Sequence, residues 1–338
     1  MKIDCLLTLV AATILCITSA EAATIDMVTV GNPGNAPDTR YNSISVGSVA
    51  NAYQIGKYEV TAGQYTEFLN AVADADPNGL YNTAMADPSG GSLGANIQRT
   101  GSSPNYSYSV AADWADRPVN YVSFWDAARF ANWLDNGQPT GAQGPGTTEG
   151  GAYHDVGNQT LFGRNAGATF FIPTEDEWYK AAYHDQSAGL AASYFDYPTG
   201  TNAVPGDNIN ETTNAGNNAN YYNNGFAIGS PYYRTVAGEF ELSDSPYGTF
   251  DQGGNVWEWN ETAVTSSSRG VRGGSFDVTS DNLLASARGS VDPSAGDYFV
   301  GFRVASIPEP SAIYLGALGI VVLWWRRRRT SESLGRRG

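Results

Sequence analysis

Asp251-Gln252-Gly253-Gly254-Asn255-Val256-Trp257-Glu258-Trp259, followed by Arg272-Gly273-Gly274-Ser275-Phe276 and Gly301-Phe302-Arg303-Val304, is the part of the chain on which a reading of the fold turns. The stretch from Asp251 to Glu258 alternates carboxylate and carbonyl oxygens along a loop flexed by paired glycines. That is hard-cation chemistry, since Ca²⁺ takes 6–8 oxygen ligands at about 2.3–2.6 Å. An acidic turn that packs Trp257 and Trp259 without metal is the other reading of the same residues. Both stay open on the sequence.

Upstream, helical patterns are few and well capped. Thr61 followed by Gln64 is a capping box, and Tyr65, Phe68, Leu69 and Val72 form one apolar stripe behind it. Ser123 with Asp126 opens a second helix that Gly137 can end, with Phe124, Ala127, Ala128, Ala131 and Leu134 on one face. Thr174 with Glu177 opens a third, carrying Trp178, Ala181 and Ala182 inward. Such stripes are core material and are assigned no chemistry. Short strands are expected over 53–60, 170–172, 271–273 and 300–304. Between them, 74–116, 137–168 and 185–235 are long stretches rich in Gly, Asn, Ser and Thr. A compact domain tolerates loops of that length only when something ties them down. With no internal repeat and no Pro-rich linker, one domain over 23–306 is expected.

The charge balance narrows the function classes. The 338 residues hold 19 Lys and Arg against 34 Asp and Glu. Lys2, Asp4 and Glu21 belong to residues 1–22, and six arginines with Glu309 and Glu332 belong to 307–338, so the body keeps 12 basic and 30 acidic residues. A body of net charge −18 lacks the clustered Lys and Arg that nucleic acid requires. Eight Trp, 20 Tyr and 13 Phe are ample for a core, which excludes a disordered acidic chain.

The two ends read as addresses. Lys2, the apolar run from Leu6 to Ile17, and Ala20-Glu21-Ala22 make a secretory signal peptide over 1–22 with its cleavage site. Both cysteines, Cys5 and Cys16, lie inside it. The exported chain is therefore expected to have no disulfide, no thiolate ligand and no cysteine nucleophile. At the other end, Pro308-Glu309-Pro310 precedes an apolar run, Ala312 to Trp325, and then Arg326 to Arg329. A helix over 311–325 would rise roughly 22 Å against a hydrocarbon core of about 30 Å, so it spans only if the arginines snorkel. The arginine cluster belongs on the cytoplasmic side, leaving the body outside. Segment 307–338 resembles a PEP-CTERM sorting signal, which implies an exosortase-type processing enzyme as partner and a cell-surface or extracellular destination after transient anchoring in the inner membrane. Nine residues follow the arginines, longer than such a tail usually carries. An ordinary C-terminal anchor is the alternative.

Seven segments occur in a telling order. They are 27–31 (MVTVG), 58–61 (YEVT), 117–123 (RPVNYVS), 172–178 (IPTEDEW), 253–259, 272–276 and 301–304. Together they resemble the formylglycine-generating enzyme, or sulfatase-modifying factor, domain family over about residues 26–306. The resemblance implies a single irregular α+β domain with low regular secondary structure, related to the C-type lectin fold. It also implies, in the family's oxidases, a copper-binding cysteine pair just after the Gly-Gly-Ser segment. Here Val278 and Leu283 stand at those positions, and neither side chain can ligate copper or form a disulfide. Ser275 matches the family's active-site serine, but no thiol accompanies it. A nonheme-iron branch needs two histidines and a carboxylate on one metal. His154 and His184 are the chain's two histidines and read as ordinary polar residues, so neither copper nor iron is expected.

The same correspondence implies calcium ligands at the Asp251 and Glu258 side chains and the Gly254 and Val256 carbonyls. Asn220 and the Tyr221 carbonyl would belong to a second calcium site, and Glu59 matches a further ligand position. A cleft around Arg272, Ser275, Asp277 and Asp281 would take an extracellular glycan or peptide. The expectation is a calcium-stabilised, non-catalytic surface protein. A divergent enzyme of the family acting outside the cytoplasm is the alternative, and a purely structural cell-envelope component a third possibility.

Overall fold

The computed structural model describes residues 22–41, 45–89 and 91–307. The expected sorting signal over 307–338, except Ile307, and the expected signal peptide over 1–22, except Ala22, lie outside the described residues. Among the described residues no helix is long and apolar enough to cross a membrane.

Two small four-stranded sheets frame the molecule. The first has the order β1 (Met27–Val30), β2 (Tyr53–Gly56), β12 (Ala305–Ser306), β7 (Phe170–Phe171). The second has the order β10 (Gly289–Val291), β9 (Ser268–Arg272), β8 (Trp257–Thr265), β11 (Val300–Gly301), with β11 parallel to β8. Two hairpins stand apart, β3 (Ile97–Thr100) with β4 (Ser107–Val110), and β5 (Tyr153–His154) with β6 (Gly163–Arg164). Low regular content in a single α+β domain is what the sequence implied.

Helices α1 (Ala62–Val72), α3 (Phe124–Asp135) and α4 (Glu175–Tyr183) each begin with the expected capping box, at Thr61, Ser123 and Thr174. In each, the cap oxygen accepts from the N3 amide while the N3 side chain accepts from the cap amide, so two otherwise orphaned donors are satisfied. A short α2 (Ala112–Ala115) has no side-chain cap. The apolar stripes face inward as read: Tyr65, Phe68, Ala127, Ala128, Ala131, Trp178, Ala181 and Ala182 have no exposed surface. Phe68 meets Phe130 edge-on at 5.3 Å, and Phe130 meets Phe302 in the same way at 5.3 Å, which joins α1 and α3 to the C-terminal strands. Each such pair adds about 0.5–1.5 kcal/mol beyond its area burial.

The strand boundaries differ from expectation. Val300–Val304 is not one strand: β11 ends at Gly301 and β12 begins at Ala305, because Phe302 and Arg303 turn into the core between the two sheets. β2 stops at Gly56 rather than Val60, where Lys57 takes partners outside the ladder from Asp26 and Phe250. The strand expected over 271–273 is the end of the longer β9.

The long loops are tied down by their own polar side chains. Asp76 accepts from the amides of Leu80 and Tyr81 and from Gln143 Nε2. Asn132 Nδ2 donates to the carbonyls of Thr148 and Tyr153 while its Oδ1 accepts from the Tyr153 amide. Asn218 gathers the 206–214 segment in the same manner. A short side chain bonded to a neighbouring backbone is what makes Asn and Asp good loop residues.

Candidate functional site

The glycine-flexed loop before β8 is shaped by one close approach. Gly254 has φ +89°, and a Cβ there would lie 2.0 Å from the Asn220 carbonyl oxygen. Only glycine fits. Next to it, Asn255 is fully buried, and its Oδ1 accepts from Asn220 Nδ2 at 2.7 Å and from the Thr235 amide and hydroxyl at 3.0 Å each. Sequence reading passed over Asn255, which clasps two other segments, at Asn220 and Thr235, to its own loop; its place between two glycine-rich motifs was the available signal.

Beyond this clasp β8 carries Glu258 into the interior. Its carboxylate receives Arg303 at 2.6 and 2.7 Å and the Trp178 indole N–H at 2.7 Å. Arg303 also donates to the carbonyls of Gly56 and Phe250. Burial would lower the Arg303 pKa, but Glu258 beside it outweighs that and raises it. Two more carboxylates act on this group. Glu59 is buried with neither carboxylate oxygen hydrogen-bonded, and burial, with Asp251 and Glu258 nearby, pushes its pKa well above the ordinary range. Asp251, whose Oδ2 accepts from the Gly238 amide at 2.6 Å, is pushed up to about 6, chiefly by burial. Three carboxylates thus face a single guanidinium among these four groups.

The predicted calcium ligands therefore divide. Glu258 is already neutralised by Arg303, whereas Glu59 and one oxygen of Asp251 have unfilled acceptor capacity. Asn220 Oδ1 is likewise buried without a partner, its Nδ2 being used on Tyr233 and Asn255. The Tyr221 side chain is spent on the Pro205 carbonyl, so only its main chain could serve a metal. Among the described residues, no three acidic, histidine or cysteine side chains converge closely enough to hold a metal by themselves. These donors are all oxygen, the kind a hard cation takes.

The expected cleft needs correction. Arg272 does not face solvent: it is 1% exposed, donates to Glu175 at 2.6 Å, and is further held by the carbonyls of Ala285 and Ala287. Glu175 also holds Arg288, so the acidic first turn of α4 fastens two separate segments. Ser275 is buried as well, and donates to Asp277 Oδ1 at 2.5 Å. Asp277 is half-buried and accepts from the Tyr298 hydroxyl at 2.9 Å, while Asp281 is exposed on the short turn 280–282. Burial, followed by the bond to Asp277, pushes the Tyr298 pKa up to about 12. What lies beside Asp277 is an aromatic shelf: Tyr222, Phe226, Tyr233, Phe276 and Tyr298 follow one another at ring distances of 5.0–6.2 Å. Tyr222 and Phe226 are open to solvent. The sequence had no periodicity to reveal this shelf, because four separate loops supply it.

A profile of the sulfatase-modifying factor enzyme 1-like domain matches residues 24–307. The chain belongs to that family. Solved structures share the fold: a crystal structure of CarF is 20% identical, covering 85% of this chain and 100% of that one at a TM-score of 0.51. Treponema denticola variable protein 1 is 21% identical, covering 83% of this chain and 95% of that one, also at 0.51. No curated protein matches. Within this sulfatase-modifying factor domain, Leu283 is fully buried among Tyr197, Ala219 and Tyr221. Val278 is half-buried, and its carbonyl accepts from the Tyr222 amide at 2.9 Å. His184 is buried against the Tyr247 hydroxyl, and His154 lies exposed beside Asp155.

Proposed function

We propose that this sulfatase-modifying factor domain is an exported, non-catalytic, calcium-stabilised ligand-binding protein of the cell surface. The observation that carries the reading is the hydrocarbon at Val278 and Leu283. Leu283 in particular is a packing residue of a small buried cluster. Both cysteines of the chain fall in the leader, so the exported form has no sulfur nucleophile to offer copper. The half-buried Asp277 beside an open shelf of Tyr222, Phe226 and Tyr298 supports the binding role. Aromatic faces stack on the apolar faces of sugar rings, and a carboxylate accepts from hydroxyls. The acceptor-rich group of Glu59 and Asp251 supports the cation. PEP-CTERM sorting through 307–338, with exosortase-type processing, completes the route to the surface.

Two assays test this. The protein purified without its leader is incubated with copper and a sulfatase-type cysteine peptide; no formylglycine is expected, and copper-dependent turnover would establish the divergent-enzyme alternative instead. On a glycan array, binding should vanish in Asp277→Asn and Phe226→Ala while the melting temperature holds. Absence of binding to every glycan would leave a structural envelope role.

A further inference from the structure

The aromatic shelf beside Asp277 carries charge of one sign. Asp277 accepts from the hydroxyls of Ser275 and Tyr298, so two neutral donors orient the carboxylate without neutralising it. Asp277 and Asp297 both act on Tyr298 through their charge, and Asp207 accepts from Asn223 Nδ2 at 3.3 Å, next to Tyr222. Among the described residues, none of Asp207, Asp277 and Asp297 joins an ion pair. Arg234, which follows Tyr233, is fully buried and spends its two terminal nitrogens on the Leu93 and Gly94 carbonyls.

The rings of the shelf are open in the same sense. Elsewhere the protein covers aromatic faces with its own cations: Arg117 lies 3.8 Å from the Tyr232 centroid, Arg164 3.7 Å from that of Phe171, and Arg99 4.4 Å from that of Tyr106. Among the described residues, no Lys or Arg stands over Tyr222, Phe226, Tyr233, Phe276 or Tyr298. A ring face attracts a cation through its quadrupole, and a body with 12 basic against 30 acidic residues draws cations towards its surface. Uronates, sulfated sugars and phosphates would meet carboxylates here, with no guanidinium to hold them.

We propose that the shelf selects glycans whose sugars carry free amino groups, with the apolar face of a sugar ring resting on Phe226 and Tyr222 and its ammonium bonded to Asp277. The inference rests on the ligand-binding reading above and names the chemistry of its ligand. An ammonium brings three donors and a positive charge to a carboxylate that only accepts. An N-acetyl group in its place keeps one N–H and loses the charge.

The probes are glucosamine and N-acetylglucosamine oligomers of equal length, titrated calorimetrically into the full-length chain in detergent, below neutral pH so that the amines are charged. The glucosamine oligomer should bind about tenfold tighter, and the preference should narrow as salt is raised. Asp277→Asn should erase the preference, and Phe226→Ala, at an open position, should weaken the binding of both oligomers; melting temperatures establish that each variant folds. Equal affinity for the two oligomers, a preference for the acetylated one, or a preference that survives Asp277→Asn overturns the proposal and leaves the glycan-binding reading standing. Glucosamine binding that ignores Phe226→Ala places the ligand elsewhere and also overturns it. Silence with both oligomers overturns it too, and the glycan array then judges the broader reading: a neutral or acidic glycan bound at the shelf keeps that reading, and no binding rejects it.

Discussion

Arg303 and Glu258 form a two-point ion pair closed off from water, Nε to Oε2 at 2.6 Å and the second nitrogen to Oε1 at 2.7 Å, with both side chains at 0% exposure. Fork-to-fork geometry of this kind fixes direction as well as distance. Because Arg303 also binds the Gly56 and Phe250 carbonyls, the pair locks the β8 sheet to the β2 sheet.

Removing one partner strands the other. Arg303→Met is expected to destabilise by about 3–5 kcal/mol, through an uncompensated buried carboxylate. Arg303→Lys should rescue little, since an ammonium cannot make both bonds at once. Urea unfolding measures both; a loss below about 1 kcal/mol in Arg303→Met would show that the pair does not hold the sheets together.

Gly254→Ala tests the close approach at the loop. Its Cβ would stand 2.0 Å from a backbone oxygen at a φ of +89°, so neither side-chain rotation nor a small shift relieves it. The expected result is failure to fold at 37 °C. Gly137→Ala, also at positive φ but with open space around it, should cost only about 1 kcal/mol.

The pH dependence should carry the mark of Asp126. Burial pushes its pKa up to about 6, against the opposing help of Ser123 and Arg129. A folded value above the unfolded 3.9 means the native state takes up this proton first as pH falls. The unfavourable charge is fully present above about pH 6 and gone below about pH 4. The stability of the natural protein relative to Asp126→Asn should therefore fall by about 2–3 kcal/mol as pH rises from 4 to 6.5. A difference that stays constant with pH would place the charge in a solvated setting.

Chelation tests the cation. EDTA should lower the melting temperature, and added calcium should restore it. Glu59→Gln should remove the response while keeping the fold, because Glu59 has no ion pair or hydrogen bond of its own to lose. Glu258→Ala cannot serve for this purpose, since it breaks the Arg303 pair. A melt that ignores EDTA, in protein free of tightly held metal, removes calcium from the account.

How much of this was legible depended on whether the signal was local. The three capped helices were, because a cap and its N3 partner are three residues apart. The cleft was not. Arg272 looked available beside Gly273 and Gly274, yet its partner Glu175 lies 97 residues earlier, on α4. Glu258 read as a free carboxylate for the same reason, with Arg303 45 residues away. The long strand β8 was hidden by its own motif: Glu258, Trp259 and Asn260 are all buried, so no alternation of apolar and polar residues marks it. The long loops gave no such local signal either, because Asp76, Asn132 and Asn218 fasten groups that only the fold brings beside them.

The last two strand residues, Ala305 and Ser306, lie in the middle of their sheet, paired with β2 on one side and β7 on the other. A chain that emerges amino-terminus first from its site of synthesis must then wait with an open seam between β2 and β7 until residue 306 is free to pair. Cutting beyond Ile307 leaves that seam sewn, whereas losing a few more residues would unstitch it. The position of β12 thus sets how far the carboxyl end can be shortened before the first sheet loses the strand that joins β2 to β7.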